Sequence, residues 1–467
     1  MRKVYILGAM ACIFAACKPS VTINKPVSGG TTPGGLPVYY TNYMAIGSAT
    51  TAGAADGTLY LTAQDNSYPQ RLFEQFTTVT GNAAAKGPFI QPWLVSDEGY
   101  PTVKLVMGTN MDTCEGTTSL GPVNYNGSVN SANGNFYNSP ANNGQINNIA
   151  VPEIRVADYN VPGYASLNPL AGRFYYNAAG TPMDELSHTI NNLYPTFFTF
   201  WLGEYDVLGY ALAGGQGDGN ISGPYQAVPL FGTFYNRSDI TPLSVFETLY
   251  DSALHLAWSI GSSGALINIP DYTTAPFFTT IPANGLYLTR QSEADSLTAF
   301  WHVQFPNILF KIGYNYFIIK DNAGHTRQAV PGELILLSTP MANLTCYGWG
   351  SYVAIPEQYV LTTDEIQFIR AATKAYNDFI YQESVKYHLA YVDMNSYLNT
   401  VATGIAYNGI KYSAAYVSGG AYSLDGITFT PRGYSLVANQ ILTSINSYYH
   451  STIPLSNANL YNGILFP

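Results

Sequence analysis

Three short segments carry the polar residues whose spacing bears on catalysis. Ser48 follows an apolar run, Asp206 closes the segment GEYD, and Asp425 lies in the segment YSLDGITFTPRGY. A serine, a base that takes its proton and a carboxylate that orients the base are the parts of an acyl-transfer site. The chain has six histidines, and none lies within the segment that holds Asp425. The sequence therefore offers a serine and two carboxylates without a base beside them.

The framework around these residues is similar to one protein family. Segment 43–60, YMAIGSATTAGAADGTLY, aligns without a gap with the first block of the SGNH/GDSL hydrolase-like lipoproteins of Bacteroidota. Segments 66–69, 195–215, 268–282 and 422–439 follow in the order of that family. The resemblance spans nearly the whole mature chain, and it implies an esterase scaffold.

The four residues that give this family its name are all different here. By the resemblance, the nucleophilic serine falls on Ala49, the glycine of the second block on Glu153, the asparagine on Tyr205 and the histidine base on Thr428. Ala49 has no oxygen to attack an acyl carbon, and losing a nucleophile or base costs roughly 10⁶ in turnover in a well-studied protease. An inward carboxylate on Glu153 about 4 Å from an oxyanion would oppose it by roughly 4 kcal/mol. The resemblance thus implies a pseudoenzyme without catalytic residues.

Two carboxylates of the family pattern remain, and one serine is a fallback nucleophile. We interpret Asp206 as a turn cap and Asp425 as the holder of the D-G turn before the last helix. A new catalytic pair of carboxylates is the alternative. Ser48 would have to act from one residue upstream, where the Cα lies about 3.8 Å from its neighbour and the side chain tends to point to the opposite side.

The amino-terminal segment has the pattern of a bacterial lipoprotein signal. Residues 1–16 comprise a short basic start, an apolar run too short to span a bilayer, and small residues before Cys17. We expect Cys17 to be the lipidated first residue of the mature chain, with ordinary secretion as the alternative. Residues 17–40 are rich in Pro, Gly, Thr and Ser and predict a flexible tether. The sequence therefore predicts lipid anchoring in the outer membrane, on either its surface or its periplasmic face, and one domain over 41–467.

Composition excludes some partners and leaves others open. The formal net charge is −10, which argues against nucleic acid as a partner. Cys114 and Cys346 are candidates for a disulfide in an exported protein. No C-x-x-C or H-x-x-x-H spacing occurs, so neither a metal site nor a cofactor is predicted.

Apolar runs and helical periodicity alternate along the chain. Strand-like runs are predicted at 43–47, 197–202, 265–269 and 389–392. Helices are predicted from Pro242 to Ala257, from the capping box at Thr362 to about Tyr387, and from Gly433 to Tyr448. This alternation favours a three-layer α/β/α fold with a central parallel sheet, and the resemblance implies the flavodoxin-like SGNH fold with long loop insertions.

An open parallel sheet places its cleft at the carboxyl ends of the strands. Ala49, Tyr205, Asp425 and Thr428 are expected to gather there. Residues 108–148 contain a stretch rich in Asn, Gly and Ser, which predicts a long surface loop beside that cleft.

Three functions remain open at this stage. The first is an inactive lipoprotein that acts as an accessory or binding subunit beside a β-barrel outer-membrane protein. The second is a module that holds a glycan or acyl ligand in the vestigial cleft. The third is an esterase that uses Ser48 or another non-standard nucleophile.

Overall fold

The computed structural model describes residues 26–111, 114, 116–129, 145–217 and 238–467. The predicted signal peptide, residues 1–16, and the predicted lipidation site, Cys17, lie outside the described residues. The same holds for much of the polar stretch between 108 and 148.

The strands and helices of the described residues are as follows. The strands are β1 Tyr43–Gly47, β2 Leu105–Met111, β3 Thr118–Asn124, β4 Phe197–Trp201, β5 Ser263–Ile267, β6 Leu286–Leu288, β7 Gly313–Asn315, β8 Ile318–Lys320, β9 Thr326–Gln328, β10 Leu334–Ile335, β11 Val360–Leu361, β12 Ala390–Val392, β13 Ile405–Tyr407 and β14 Ile410–Tyr412. The helices are α1 Ala49–Ala52, α2 Leu61–Asp65, α3 Tyr68–Phe76, α4 Tyr164–Leu167, α5 Pro169–Gly172, α6 Pro182–Leu193, α7 Tyr205–Leu212, α8 Leu243–Trp258, α9 Pro276–Thr279, α10 Gln291–His302, α11 Met341–Thr345, α12 Thr363–Lys386, α13 Met394–Thr403 and α14 Pro431–Tyr449.

A parallel sheet in the order β1, β4, β5, β12 forms the centre of the protein. All residues of β1 and β4 are buried. A parallel sheet covered on both faces needs continuous apolar strands rather than alternating ones, which explains the apolar runs in the sequence. Beyond β1, Asn148 forms a parallel bridge with Ala45, so segment 147–151 lies along that edge of the sheet.

Helices flank this sheet. Helix α14 packs against β12 and α3, and α12 packs against β5 and α8. The predicted α/β class with a central parallel sheet is therefore confirmed, and the four predicted strands all lie in that sheet.

The predicted helix ends are set by local hydrogen bonds. Thr362 and Glu365 form the expected capping box at the start of α12. Helix α14 begins two residues earlier than predicted, because the Thr430 side chain accepts from Gly433 N and Pro431 occupies the first turn. Residues whose side chains accept from the free N–H groups of the first helical turn are therefore good sequence markers of where a helix begins.

Residues 280–361, which we call the excursion, leave the central domain after α9. They contain short two-stranded sheets, α10 and α11. Two small apolar clusters hold them together, one around Phe317 and Ile319 and one around Leu297 and Phe310. Sequence patterns predict none of the strands and helices in this part of the chain.

Residues 26–40 were predicted to belong to a flexible tether, and the structure contradicts that. Thr31 N donates to Tyr449 O, and Val38 N donates to Gly30 O. Tyr40 is fully buried, with its ring 4.4 Å from that of Phe76 and 4.8 Å from that of Phe197. The mixture of Pro, Gly and Thr predicts a tether, but the buried side chains of Val38 and Tyr40 pack this segment against the core.

The prediction of a long surface loop over 108–148 is also wrong in part. Strands β2 and β3 pair antiparallel, with Leu105 opposite Asn124 and Met111 opposite Thr118. We call residues 105–124 the arm. Its side chains are mostly exposed, so the sequence lacks the apolar alternation that marks a strand.

A disulfide joins Cys114, near the tip of the arm, to Cys346 directly after α11. The two Cα atoms are 5.6 Å apart, and the cysteines are separated by 232 residues of sequence. The arm is thus connected covalently to the excursion. Among the helices of the described residues, none combines the length and apolar character needed to cross a membrane.

The burial of Tyr40 provides a test of whether residues 26–40 belong to the folded domain. Tyr40→Ala should lower the free energy of unfolding by about 3–5 kcal/mol, the range for removing a large aromatic side chain from a core. Tyr39→Ala is the matched control: Tyr39 is 44% exposed, and its loss should change stability by less than about 0.5 kcal/mol. Urea unfolding of both variants measures the difference. Equal midpoints would show that this segment is not part of the core.

Candidate functional site

One cavity of about 330 Å³ lies at the carboxyl ends of β1 and β4. Its walls include Ala49, Glu153, Tyr205, Asp425 and Thr428. The structure therefore brings together the four positions at which the resemblance would place the name-giving residues of the esterases, and Asp425 lies beside them.

The turn from β1 into α1 places Ala49 at the cavity. Strand β1 ends at Gly47, where a Cβ would collide with Thr51 and with Trp201 O. The chain then turns so that Ala49 is the first residue of α1 and its methyl group lines the cavity. A methyl group there supplies apolar surface and no nucleophile.

Ser48 does not line this cavity. It is fully buried, and its Oγ has no hydrogen-bond partner. The fallback nucleophile is thus not presented to a ligand in the cavity.

Glu153 has a backbone conformation that favours glycine. Its φ is 65°, in the left-handed region where a Cβ is strained. This fits the glycine that the resemblance assigns to the position. The Glu153 side chain lines the cavity but the residue is exposed, so its charge is screened by water and opposes an oxyanion less than a desolvated carboxylate would.

Asp425 is saturated by hydrogen bonds. Its carboxylate accepts from Gly57 N at 3.0 Å, Ile427 N at 2.7 Å, Thr428 N at 2.8 Å and Ser423 Oγ at 3.0 Å. The Thr428 hydroxyl also donates to it. The Thr428 hydroxyl therefore donates to the same carboxylate that would orient a base in an esterase. Asp425 also holds its turn, as expected from the sequence.

Asp206 lies behind the cavity rather than in its wall. It is fully buried and accepts from Val156 N at 2.7 Å and Ala157 N at 3.3 Å. Burial raises its pKa to about 6, although the hydrogen bond from Val156 N lowers it in part. It ties the turn at 156–160 to the first turn of α7, as a cap would.

Tyr205 begins α7, and the residue before it was missed by the sequence reasoning. Glu204 is 1% exposed, and its Oε1 accepts from Thr50 Oγ1 at 2.9 Å and from the Tyr272 hydroxyl. Its Oε2 has no partner. Burial raises the pKa of Glu204 to about 7, and the hydrogen bonds from Tyr272 and Thr50 offset only part of that rise. Nothing in the letters GEYD distinguishes this buried acid from an exposed one.

No protein-family model matches the chain, and no curated protein matches it either. Within the described residues, no group of three or more His, Cys, Asp or Glu is placed to hold a metal ion.

The buried acid makes stability depend on pH in a defined direction. Between pH about 4.5 and about 7 the folded chain keeps a proton on Glu204 that the unfolded chain has released, so stability falls as pH rises through that window. Glu204→Gln keeps an oxygen acceptor for Thr50 and Tyr272 and cannot ionise. It should remove up to about 3 kcal/mol of this fall.

The measurement is the free energy of unfolding in urea from pH 4 to pH 8. Glu153→Gln makes the same chemical change at an exposed site, and its stability should follow the parent across the whole range. Identical pH profiles for the parent and Glu204→Gln would contradict the assignment of a buried neutral acid.

Proposed function

We propose that this chain is a catalytically inactive SGNH/GDSL-like lipoprotein of the outer membrane that serves as an accessory or binding subunit of a membrane protein complex. One observation carries the proposal. Where acyl transfer needs a nucleophile and a base, the cavity has the methyl group of Ala49 and the hydroxyl of Thr428, which is already bonded to Asp425. The framework of the site is kept and its reacting groups are replaced.

The order of the sheet supports the esterase-like ancestry. With segment 147–151 counted as the second strand, the order is 2-1-3-4-5, which is the order of flavodoxin-like doubly wound sheets. In such sheets ligands bind outside the carboxyl ends of the strands where the order reverses. The cavity lies at that reversal, between β1 and β4.

The esterase alternative has less support from the geometry. Ser48 is buried and does not line the cavity, and none of the described residues that line it is a histidine. A serine hydroxyl without a base is a weak nucleophile. A binding or assembly role is favoured because it needs none of the missing groups.

The first described residues of the chain lie at the end of the domain opposite the cavity, which supports a cavity that faces away from the lipid anchor. Residues 27–31 bond to Thr80, Thr452 and Tyr449, near the amino ends of the strands. The cavity is at the carboxyl ends. A lipid on Cys17 would therefore hold the end of the domain opposite the cavity, which leaves the cavity side for a partner such as a β-barrel protein.

Hydrolysis assays test the absence of catalysis. The purified full chain should release no alcohol from activated short- and long-chain acyl esters and should not react with a fluorophosphonate, because the cavity has no activated oxygen nucleophile. An Ala49→Ser/Thr428→His double variant provides a comparison with the family pattern. Turnover or labelling of the unmodified chain that disappears in Ser48→Ala would overturn the proposal.

Labelling with a palmitate analogue tests the anchor. The full chain should incorporate the label and sediment with outer membranes, whereas Cys17→Ser should incorporate none, because no other cysteine follows a signal-peptide pattern. Cys114→Ser is the matched control and should keep the label. Label retained in Cys17→Ser would show that the anchor is elsewhere.

A further inference from the structure

A groove of about 850 Å³ lies between the arm and the excursion. Its floor is apolar and includes Phe277, Ile281, Phe317, Leu337 and Leu424. This volume is within the range of ligand-binding clefts. The groove adjoins the cavity of the candidate site, since Phe277 and Asp425 line both.

The charge of the groove limits what it binds. Among the described residues that line it, Asp425 alone is charged, and its oxygens already accept hydrogen bonds from Gly57 N and from the backbone of its own turn. An ionic ligand would therefore lose its hydration without gaining a counter-charge. The occupant must be uncharged where it lies in the groove.

The rim of the groove differs from its floor. Tyr287 and Tyr314 are paired across β6 and β7, are 58% and 64% exposed, and have their ring centroids 4.8 Å apart. Asn110 on the arm and the exposed Ser338 add further polar groups to the lining. The groove thus has an apolar floor with hydrogen-bonding groups around it.

This pattern suits a peptide better than a lipid or a sugar. An extended peptide directs alternate side chains toward an apolar floor and keeps its backbone amides beside polar groups. An acyl chain has no groups to bond the polar residues, and a glycan would bury hydroxyls against the apolar floor without partners. Exposed tyrosine and methionine are also enriched at protein interfaces, and Met341 on α11 is 56% exposed in the same wall.

The disulfide fixes the width of the groove. Cys114 connects the tip of the arm to Cys346, next to the α11 residues Leu344 and Thr345 that line the opposite wall. The walls are therefore held at one separation before a ligand arrives. Ordering a loop on binding costs free energy and weakens affinity. Because this wall is already fixed, a ligand would bind without that cost.

We propose that this groove binds an extended, uncharged peptide segment of a partner protein, with Tyr287 and Tyr314 on one wall, the arm on the other and the Cys114–Cys346 disulfide holding the two together. The proposal rests on the accessory role proposed above and names the chemistry of the partner. The groove is on the side of the domain away from the amino-terminal entry of the chain, where a protein rather than the anchoring bilayer is within reach.

The test uses the full lipidated chain in phosphatidylcholine nanodiscs, with empty nanodiscs as the blank. Three labelled probes are compared by fluorescence anisotropy: a library of short uncharged peptides with Leu, Val, Phe or Tyr at alternate positions, a dansylated fatty acid, and maltoheptaose. Peptides from the library should bind and the other two probes should not.

Matched variants locate the site. Tyr314→Arg should weaken peptide binding by about tenfold or more, since loss of an interface anchor costs above about 1 kcal/mol. Tyr194→Arg is the control, because Tyr194 is 67% exposed and precedes β4 at the opposite end of the sheet. Met341→Arg repeats the test at a second position of the same wall if Tyr314→Arg does not fold, and Cys114→Ser/Cys346→Ser should also weaken binding.

Three results would overturn the proposal: binding of the fatty acid or the oligosaccharide alone, no binding of any probe, or peptide binding that Tyr314→Arg and Met341→Arg leave unchanged. Ester hydrolysis by the unmodified chain would remove the accessory role and leave a measured peptide site standing. Absence of peptide binding together with a silent ester panel would remove only the groove proposal.

Discussion

The carboxylate of Asp425 holds the centre of the candidate site together. It accepts from the backbone of Gly57, in the loop after α1, and from the turn that leads into α14. Asp56 makes the reciprocal connection, since its carboxylate accepts from Leu424 N at 2.9 Å and its own N–H donates to Ser423 Oγ at 3.0 Å. Two segments more than 360 residues apart in sequence are thus joined, because each contributes an aspartate that accepts a backbone N–H from the other. Charge-assisted hydrogen bonds of this kind are among the stronger ones in proteins.

This arrangement separates the residues that connect segments from those that line the cavity. Asp56, Gly57 and Asp425, which match the resemblance, connect the two segments. Ala49 and Thr428, where the resemblance would place a nucleophile and a base, line the cavity. Thr428 also supports the connection, because its hydroxyl donates to Asp425. In the proposed pseudoenzyme, replacement of the reacting groups would therefore leave the connecting hydrogen bonds in place.

The sequence predicted the central sheet and the main helices because their signals are local. Apolar runs marked β1, β4, β5 and β12, and the Thr362 capping box marked α12. The arm, the excursion and the docking of residues 26–40 were missed, because polar or short strands carry no clear periodicity and their positions are set by distant partners. Tyr40 illustrates this: its burial depends on Phe76 and Phe197, which no nearby residue reveals. At the site, the resemblance located the cavity residues, but the burial of Glu204 depends on the close approach of Thr50 and Tyr272.

The long separation of Cys114 and Cys346 has a consequence for the order of events during the export of the proposed lipoprotein. Cys114 would leave a translocation pore 232 residues before its partner, so its thiol would wait in an oxidising compartment until Cys346 emerges. Cys17 is the other thiol of the expected mature sequence, and it would emerge earlier still. In that lipoprotein, transfer of a diacylglyceryl group to the Cys17 sulfur would replace its S–H by a thioether, which would remove the one competing thiol before Cys346 appears. Lipid attachment would then serve the fidelity of cysteine pairing as well as the location of the protein.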